Sequence, residues 1–511
     1  MNKYIKFSAV AALALGMTAC TSKFDEINTD PDAYSEVPTS NMTNMLANCL
    51  QQSADYWGDE LSRLTDWAGY MVASYDNEKF QYYPSNNEFG NKWYQTYTLQ
   101  PQLQYIMDNI DHEAFKNMYN AAKMYQQYLY LLNVDCFGDC PYSEAAKASV
   151  DGTSIKPKFD KDEDVYAGIE KVLKEVADSW AEGIGDDELG SGDLLYGGDV
   201  TMWQRWCNSL RLRVAMRLSG MASHEAKSKA TFEEILNNPA KYPVIEECDQ
   251  NCYFWWDGSS SYREPWYDNK LERSVDYCMG QVLVDHLKNQ GDPRLYTICK
   301  PAVSDGEYRG VLHGSSSQYN GKGYSTYSQA ADMYYGNASG FSPYFRAAET
   351  WFLIEEAKIK GWNVPYDAKE AYETAVKCSM EDNGVTAEEA ALYLEGKGAY
   401  DGSLKQLYTE EWVALYKQSQ EAWCLQRRTG YPTELFDEVT YATGVTCAQY
   451  PGERNVWGYG ASATHNDLPW RFPYPQSEFN YNYDNVTAAS EGIVNYCWGK
   501  RLCWAKDNGR K

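Results

Sequence analysis

The sequence predicts an all-α protein in which a helical frame carries long irregular loops. Three observations carry that expectation. Apolar residues recur at helical spacing along much of the chain. Two neighbouring helical stretches, 346–361 and 366–381, set small residues against large ones as tetratricopeptide-type pairs do. Strand-like alternating runs are few.

The first element is a leader. Lys3 and Lys6 precede an apolar run from Phe7 to Gly16, followed by Met17-Thr18-Ala19-Cys20. A short positive segment, a short hydrophobic core and small residues before a cut make a secretory signal. With Cys20 directly after those small residues, the segment resembles a bacterial lipoprotein signal, in which Cys20 would be lipidated and become the mature N-terminus. An ordinary signal peptide with an incidental cysteine is the alternative. The expected organisation is a signal at 1–19, a lipidated tether at 20–40, rich in Asn, Asp, Thr and Pro, and a single helical domain at 41–511. Acyl chains contribute about 0.8 kcal/mol per buried methylene, so two or more hold a protein on a membrane without a spanning helix.

The body follows in order. Helical patterns begin near residue 40, and further helices are expected at 92–108, 114–135, 162–181, 201–222, 275–289, 346–361, 366–381 and 404–427. Met118, Ala122, Tyr125, Leu129 and Leu132 step by four, three, four and three, one face of a helix. In the tetratricopeptide-type pair, the stretch Arg346 to Ala357 is followed by Gly361-Trp362, then by Ala371, Tyr372 and Ala375 on one face. No strict 34-residue period is kept, so these units are degenerate. Gly-rich 183–199, Trp/Tyr/Ser-rich 249–272, and the loops 304–344 and 441–485 are long enough to suggest function.

Bulk properties narrow the role. The chain of 511 residues has 72 acidic against 46 basic residues, a net charge of −26. Such a surface repels phosphate backbones, which argues against nucleic-acid binding. No window after the leader approaches the roughly 18 apolar residues of a membrane span. Of the 14 cysteines, Cys136/Cys140, Cys248/Cys252 and Cys497/Cys503 are close pairs without the spacing of common zinc sites. Mostly free thiols are favoured, with some pairing outside the cell as the alternative.

Enzyme signatures are weak. The five histidines, His112, His224, His286, His313 and His465, make no His-Glu-x-x-His motif, and there is no Gly-x-Ser-x-Gly elbow or phosphate loop. With so many acidic residues, carboxylate pairs for glycoside hydrolysis carry no signal by themselves. No cofactor is expected. Acidic loops can hold Ca2+, but no Asp-x-Asp-x-Asp-Gly loop supports it.

Aromatic composition points to binding. The 44 Tyr and 17 Trp outnumber 15 Phe, and rings with a flat apolar face and a polar edge suit stacking on sugars or gripping peptides. Three clusters are candidates for ligand contact. The first holds Tyr253, Phe254, Trp255, Trp256, Tyr262, Trp266 and Tyr267, with Asp257, Arg263 and Asp268 available for hydroxyls. The second holds Tyr75, Asp76, Asn77, Phe80, Tyr82, Tyr83 and Trp93. The third holds Tyr319, Tyr324, Tyr327, Tyr334 and Tyr335. Packing of loops onto the frame is the competing explanation for each. Three other stretches read as structural: the Gly138-Asp139/Pro141-Tyr142 corner, the helix end at Arg427-Arg428-Thr429-Gly430 with internal ion pairs, and Arg471 and Glu478 about a Pro-Tyr-Pro turn.

Six stretches then occur in a familiar order: Asn28-Thr29-Asp30-Pro31; Gly138-Asp139-Cys140-Pro141-Tyr142-Ser143-Glu144-Ala145; Gly291-Asp292-Pro293-Arg294-Leu295; Ala348 to Ala357 with Gly361-Trp362; Glu421-Ala422-Trp423 with Arg427 to Pro432; and Arg471-Phe472-Pro473-Tyr474-Pro475 with Glu478, Asn482 and Asn485. Together they resemble the SusD/RagB group of outer-membrane nutrient-binding lipoproteins of Bacteroidetes, in the branch named for starch binding. Cys140 stands where the family more often has Ile, and the acidic residues Asp25-Glu26 follow Cys20 later than is usual for surface export. The resemblance implies a SusD-like fold, an outer-membrane lipid anchor facing the cell surface, and a SusC-type TonB-dependent barrel as partner. It implies capture of an oligosaccharide or other nutrient oligomer, a peptide included, without catalysis. The alternatives are a surface-anchored helical glycoside hydrolase and a structural lid with no specificity of its own.

Overall fold

The computed structural model describes residues 41–54, 61, 64–73, 90–147, 155–273, 277–311, 324–433, 469–493, 497 and 499–506. The chain divides into Met1–Met42 and Thr43–Lys511, and nearly all described residues belong to the second unit. Cys20, the 20–40 tether, Tyr75 to Tyr83 and Tyr319 lie outside the described residues.

Helices dominate, as the periodicity predicts. In chain order the first half holds α1 (Met42–Ala54), β1 (Met71–Ala73), α2 (Gly90–Asp108), α3 (Lys116–Phe137), α4 (Asp162–Ala181), α5 (Val200–Leu218) and α6 (Glu225–Leu236). Neighbours pack in sequence: α2 on α3, α3 on α4, α4 on α5 and α5 on α6. Helix α4 shows why. Asp162, Glu163 and Asp164 sit in its first turn, where the helix dipole favours anions. Val165, Ile169, Leu173, Val176 and Trp180 bury one stripe.

The second half holds β2 (Cys252–Trp255), α7 (Pro265–Arg273), β3 (Tyr277–Met279), α8 (Gln281–Gln290), β4 (Cys299–Lys300), β5 (Gln329–Ala330) and β6 (Phe341–Phe345). Then come α9 (Ala347–Ile359), α10 (Ala368–Asp382), α11 (Ala387–Glu395), α12 (Leu404–Ala414), α13 (Ser419–Thr429), α14 (Gln476–Tyr481) and α15 (Tyr483–Ala489). Among the described residues the strands make three two-stranded antiparallel ribbons, β1–β3, β2–β6 and β4–β5. The tetratricopeptide-type pair is α9 on α10, joined through Gly361 at φ +75°. Helix α10 is capped by Asp367, whose carboxylate accepts from the Lys369 and Glu370 amides.

Two helix boundaries differ from expectation. The stretch 275–289 begins its helix only at Gln281, because Tyr277–Met279 pairs with Met71–Ala73. The stretch 404–427 is two helices. Lys417 adopts φ +69° between them, and its ammonium is held by a distant carboxylate described below.

Buried charge binds the frame. Arg213 and Arg217 lie one turn apart on α5. Arg213 grips Glu349 of α9 at 2.6 Å, while Arg217 reaches Asp135 of α3 and Glu421 of α13. Arg428 of α13 holds Glu356 of α9 through two bonds of 2.7 Å. Such pairs are costly to break one-sidedly, about 3–5 kcal/mol, since the survivor is left charged in the interior. The 138–142 corner is structural too. Gly138 takes φ +67° with Arg471 against it, and Asp139 bonds Lys161 and Lys500 at 2.9 and 2.6 Å. No disulfide is formed among the described cysteines, most of which are buried thiols. Among the described residues no helix is long and apolar enough to cross a membrane.

Candidate functional site

The strand β2 sets up a groove. It pairs with β6 so that Trp255 stands opposite Phe341 and Phe254 opposite Ser342. Successive side chains on a strand point to opposite faces. Tyr253 and Trp255 therefore share one side, with ring centroids 6.0 Å apart. Phe254 packs on Trp256 across 4.9 Å. Trp255 ends the strand 60% exposed, whereas Tyr253, Phe254 and Trp256 are buried. The Trp256 indole donates to the Ser342 hydroxyl at 3.0 Å, and its amide to the Gly340 carbonyl at 3.0 Å.

The chain then turns tightly. Asp257 accepts from the Ser259 amide at 2.7 Å. The Gly258 amide donates to the Tyr262 carbonyl at 3.1 Å, and the Tyr262 amide to the Ser259 carbonyl at 3.0 Å. Gly258 has φ +79°, and a Cβ there would stand 2.3 Å from the Ser339 hydroxyl; only glycine meets both demands. The turn leaves the Tyr262 ring 46% exposed. Hydrogen bonds from Ser259 hold the Asp257 carboxyl below the usual carboxylate range, so it stays ionised.

Trp255, Trp256, Asp257 and Tyr262 line a groove of about 410 Å3, whose other side is formed by Ala47, Asn48 and Gln51 of α1 and by Leu194. Leu194 is placed by the Gly-rich loop. Asp193, almost wholly buried, accepts from the amides of Leu195, Tyr196 and Gly198 and from the Trp203 indole, at 2.8–3.1 Å. Close approach of Gly192 to the Thr43 carbonyl seats that loop against α1. The result is a mostly apolar trough with amide and carboxylate groups at its rim. It suits the C–H faces of a sugar, with hydroxyls bonded alongside.

Not every expected ring reaches this trough. Trp266 is fully buried, and the Lys417 ammonium lies 5.0 Å from its ring centroid. Trp93 is 2% exposed, packed against Tyr97, Phe137 and Phe159, with its indole donating to Glu478 at 3.1 Å. Both rings are core, which corrects their assignment to a ligand face. Tyr324 is partly buried against Val72, Cys278, Val311 and Tyr327, and does not line the groove. Tyr327, Tyr334 and Tyr335 are buried, so these three rings of the third cluster pack loops onto the frame. Tyr82 and Tyr83 lie outside the described residues. Arg263 pairs with Asp268 at 3.1 Å. The sequence reading missed the α1 wall. Its signal is that Asn48 and Gln51 share a face opposite the buried Leu46, Cys49 and Leu50.

Comparison with known proteins agrees with this architecture. A family model, SusD-like and described as starch-binding associating with outer membrane, matches residues 31–446. A SusD-like protein from Bacteroides thetaiotaomicron has the same fold at TM-score 0.75 and 23% identity, over 93% of this chain and all of that one. A chitin-binding SusD homologue from Flavobacterium johnsoniae gives a TM-score of 0.72 at 22% identity, over 91% of this chain and 97% of that one. A further chitin-binding protein gives 0.75 at 22%, over 92% and 99%. No curated protein matches.

Proposed function

Since the chain belongs to the SusD-like family, whose description is starch-binding and association with the outer membrane, we propose that it captures an oligosaccharide at the cell surface and delivers it to a SusC-type TonB-dependent barrel. Cys20 carries the lipid that tethers it to the outer membrane. The protein cuts no bond in its cargo.

The observation that carries this reading is the joint exposure of Trp255 and Tyr262 on one groove. Large rings left in water beside buried ones invite a covering surface. Covering roughly 60 Å2 of ring face contributes about 1.5 kcal/mol, or about tenfold in affinity. A binding role also fits the acid inventory. Asp257 is the one carboxylate among the described residues lining the groove, whereas glycoside hydrolysis ordinarily takes two flanking the bond.

Calorimetry of the purified chain with starch-derived and chitin-derived oligosaccharides, beside a reducing-end assay, tests the proposal. Saturable binding with no new reducing ends supports it. Turnover would replace it with a hydrolase, and no binding to any glycan that the barrel imports would replace it with a structural lid. Palmitate labelling that fails at Cys20 would remove the anchor.

A further inference from the structure

A second cavity, of about 240 Å3, opens between α8 and the start of α12, and none of its lining residues is shared with the aromatic groove. Its chemistry is different. Lys397, Lys405 and His286 line it, a gathering of basic side chains in a chain of net charge −26. The first turn of α12 also faces it through Ser403, Lys405 and Gln406. Ser403 caps that helix, its hydroxyl accepting from the Gln406 amide at 3.1 Å. The positive end of the helix dipole thus adds to the lysines.

Deeper in, Thr409 lines the same cavity with 4% exposure. Its hydroxyl is buried and has no hydrogen-bond partner. A buried hydroxyl without a partner costs about 1–3 kcal/mol, and a ligand oxygen in the cavity would remove that cost. Two carboxylates also border the space. The oxygens of Glu410 already accept from Tyr393 and Arg294, each at 2.5 Å. Asp401 accepts from the Ser403 amide at 2.7 Å and retains further acceptor capacity.

We propose that this cavity binds a small hydroxylated carboxylate, a sugar acid or hydroxy acid, with the carboxylate toward the lysines and the α12 N-terminus and the hydroxyls toward Thr409 and Asp401. Cations and a helix N-terminus call for an anion. The bordering carboxylates disfavour a dianion, yet they accept from hydroxyl donors. A singly charged polyol acid meets both conditions, whereas phosphate meets only the first.

Calorimetry of the purified chain with D-glucuronate, D-glucose and inorganic phosphate decides the matter. Glucuronate should bind at least about tenfold more tightly than either of the others. Lys405→Met, at an exposed position, and Thr409→Val, a near-isosteric change, should each weaken glucuronate by about three- to tenfold. Trp255→Ala should leave glucuronate affinity unchanged, which separates this cavity from the groove. Equal affinity for glucuronate and glucose, or none for either, overturns the proposal, as does tighter binding of phosphate. Loss of glucuronate binding in Trp255→Ala with retention in Lys405→Met would place the acid in the groove and overturn it too.

Discussion

The ammonium of Lys417 lies 3.0 Å from a carboxylate oxygen of Glu264, and neither side chain is exposed. Around Lys417 stand the rings of Phe341 and Trp266, with centroids at 4.9 and 5.0 Å. The pair ties the break between α12 and α13 to the end of the aromatic loop. Glu264 also accepts from the Tyr267 amide at 2.8 Å and donates its own amide to the Ala338 carbonyl at 2.9 Å. The end of the aromatic loop is therefore anchored by a desolvated ion pair.

Removing one partner leaves the other charged and buried. Lys417→Met should destabilise the protein by about 3–5 kcal/mol, and Glu264→Gln by less, since Gln keeps an acceptor for the ammonium. The double variant Lys417→Met/Glu264→Gln should be more stable than Lys417→Met alone. Urea denaturation of the three variants checks the order. A double variant less stable than Lys417→Met by the full cost of Glu264→Gln would mean that the pair is not coupled.

Exposure separates ligand rings from core rings. Trp255→Ala and Tyr262→Ala should each lower oligosaccharide affinity by about tenfold with little change in melting temperature. Trp266→Ala should do the reverse, costing about 3–5 kcal/mol of stability. Calorimetry paired with thermal melts distinguishes the two patterns, and a Trp255→Ala protein with full affinity would move the site elsewhere.

The turn that presents Tyr262 depends on Gly258. Alanine there must adopt a left-handed conformation, at about 1–2 kcal/mol, and also meets the Ser339 hydroxyl. Gly258→Ala should weaken both stability and binding. Adding Ser339→Gly should recover the steric part and leave the backbone part. No recovery in melting temperature would show that the clash contributes nothing.

Much of this was legible beforehand where a local rule decides. Helix α4 follows from its acidic first turn and apolar stripe, and Gly430 ends α13 in a left-handed conformation as its position after two arginines suggests. Trp93 was legible and misread. It shares a buried stripe with Thr96, Gln100, Leu103 and Met107 at steps of three and four, which marks core. The break at Lys417 was not legible, because a contact with distant Glu264 stabilises it. Nor was the difference between Trp255 and Trp266. Both lie in one aromatic segment, but Trp255 ends β2 in water whereas Trp266 starts α7 and packs against Lys417 and Tyr416, contacts distant in sequence.

A second buried feature makes stability depend on pH. Glu355 of α9 and Glu411 of α12 are both buried. Burial pushes the Glu355 carboxyl up to about 9, with Glu411 adding repulsion. Burial pushes Glu411 up to about 8, against the opposing pull of Arg428. Neither oxygen of Glu355 has a hydrogen-bond partner, as suits a neutral acid better than an anion. Between the unfolded value of 4.5 and these raised values, the folded state holds protons that the unfolded state has lost. Stability from these groups is therefore complete below pH 4.5 and is lost as pH rises toward 8 and 9, at about 1.4 kcal/mol per pH unit for each. Glu355→Gln mimics the protonated acid at every pH. Relative to the parent, it should gain stability steadily from pH 5.5 to 8.5 in urea denaturation. A constant difference across that range would mean that Glu355 is ionised in the folded protein, and hence that a cation or solvent reaches it.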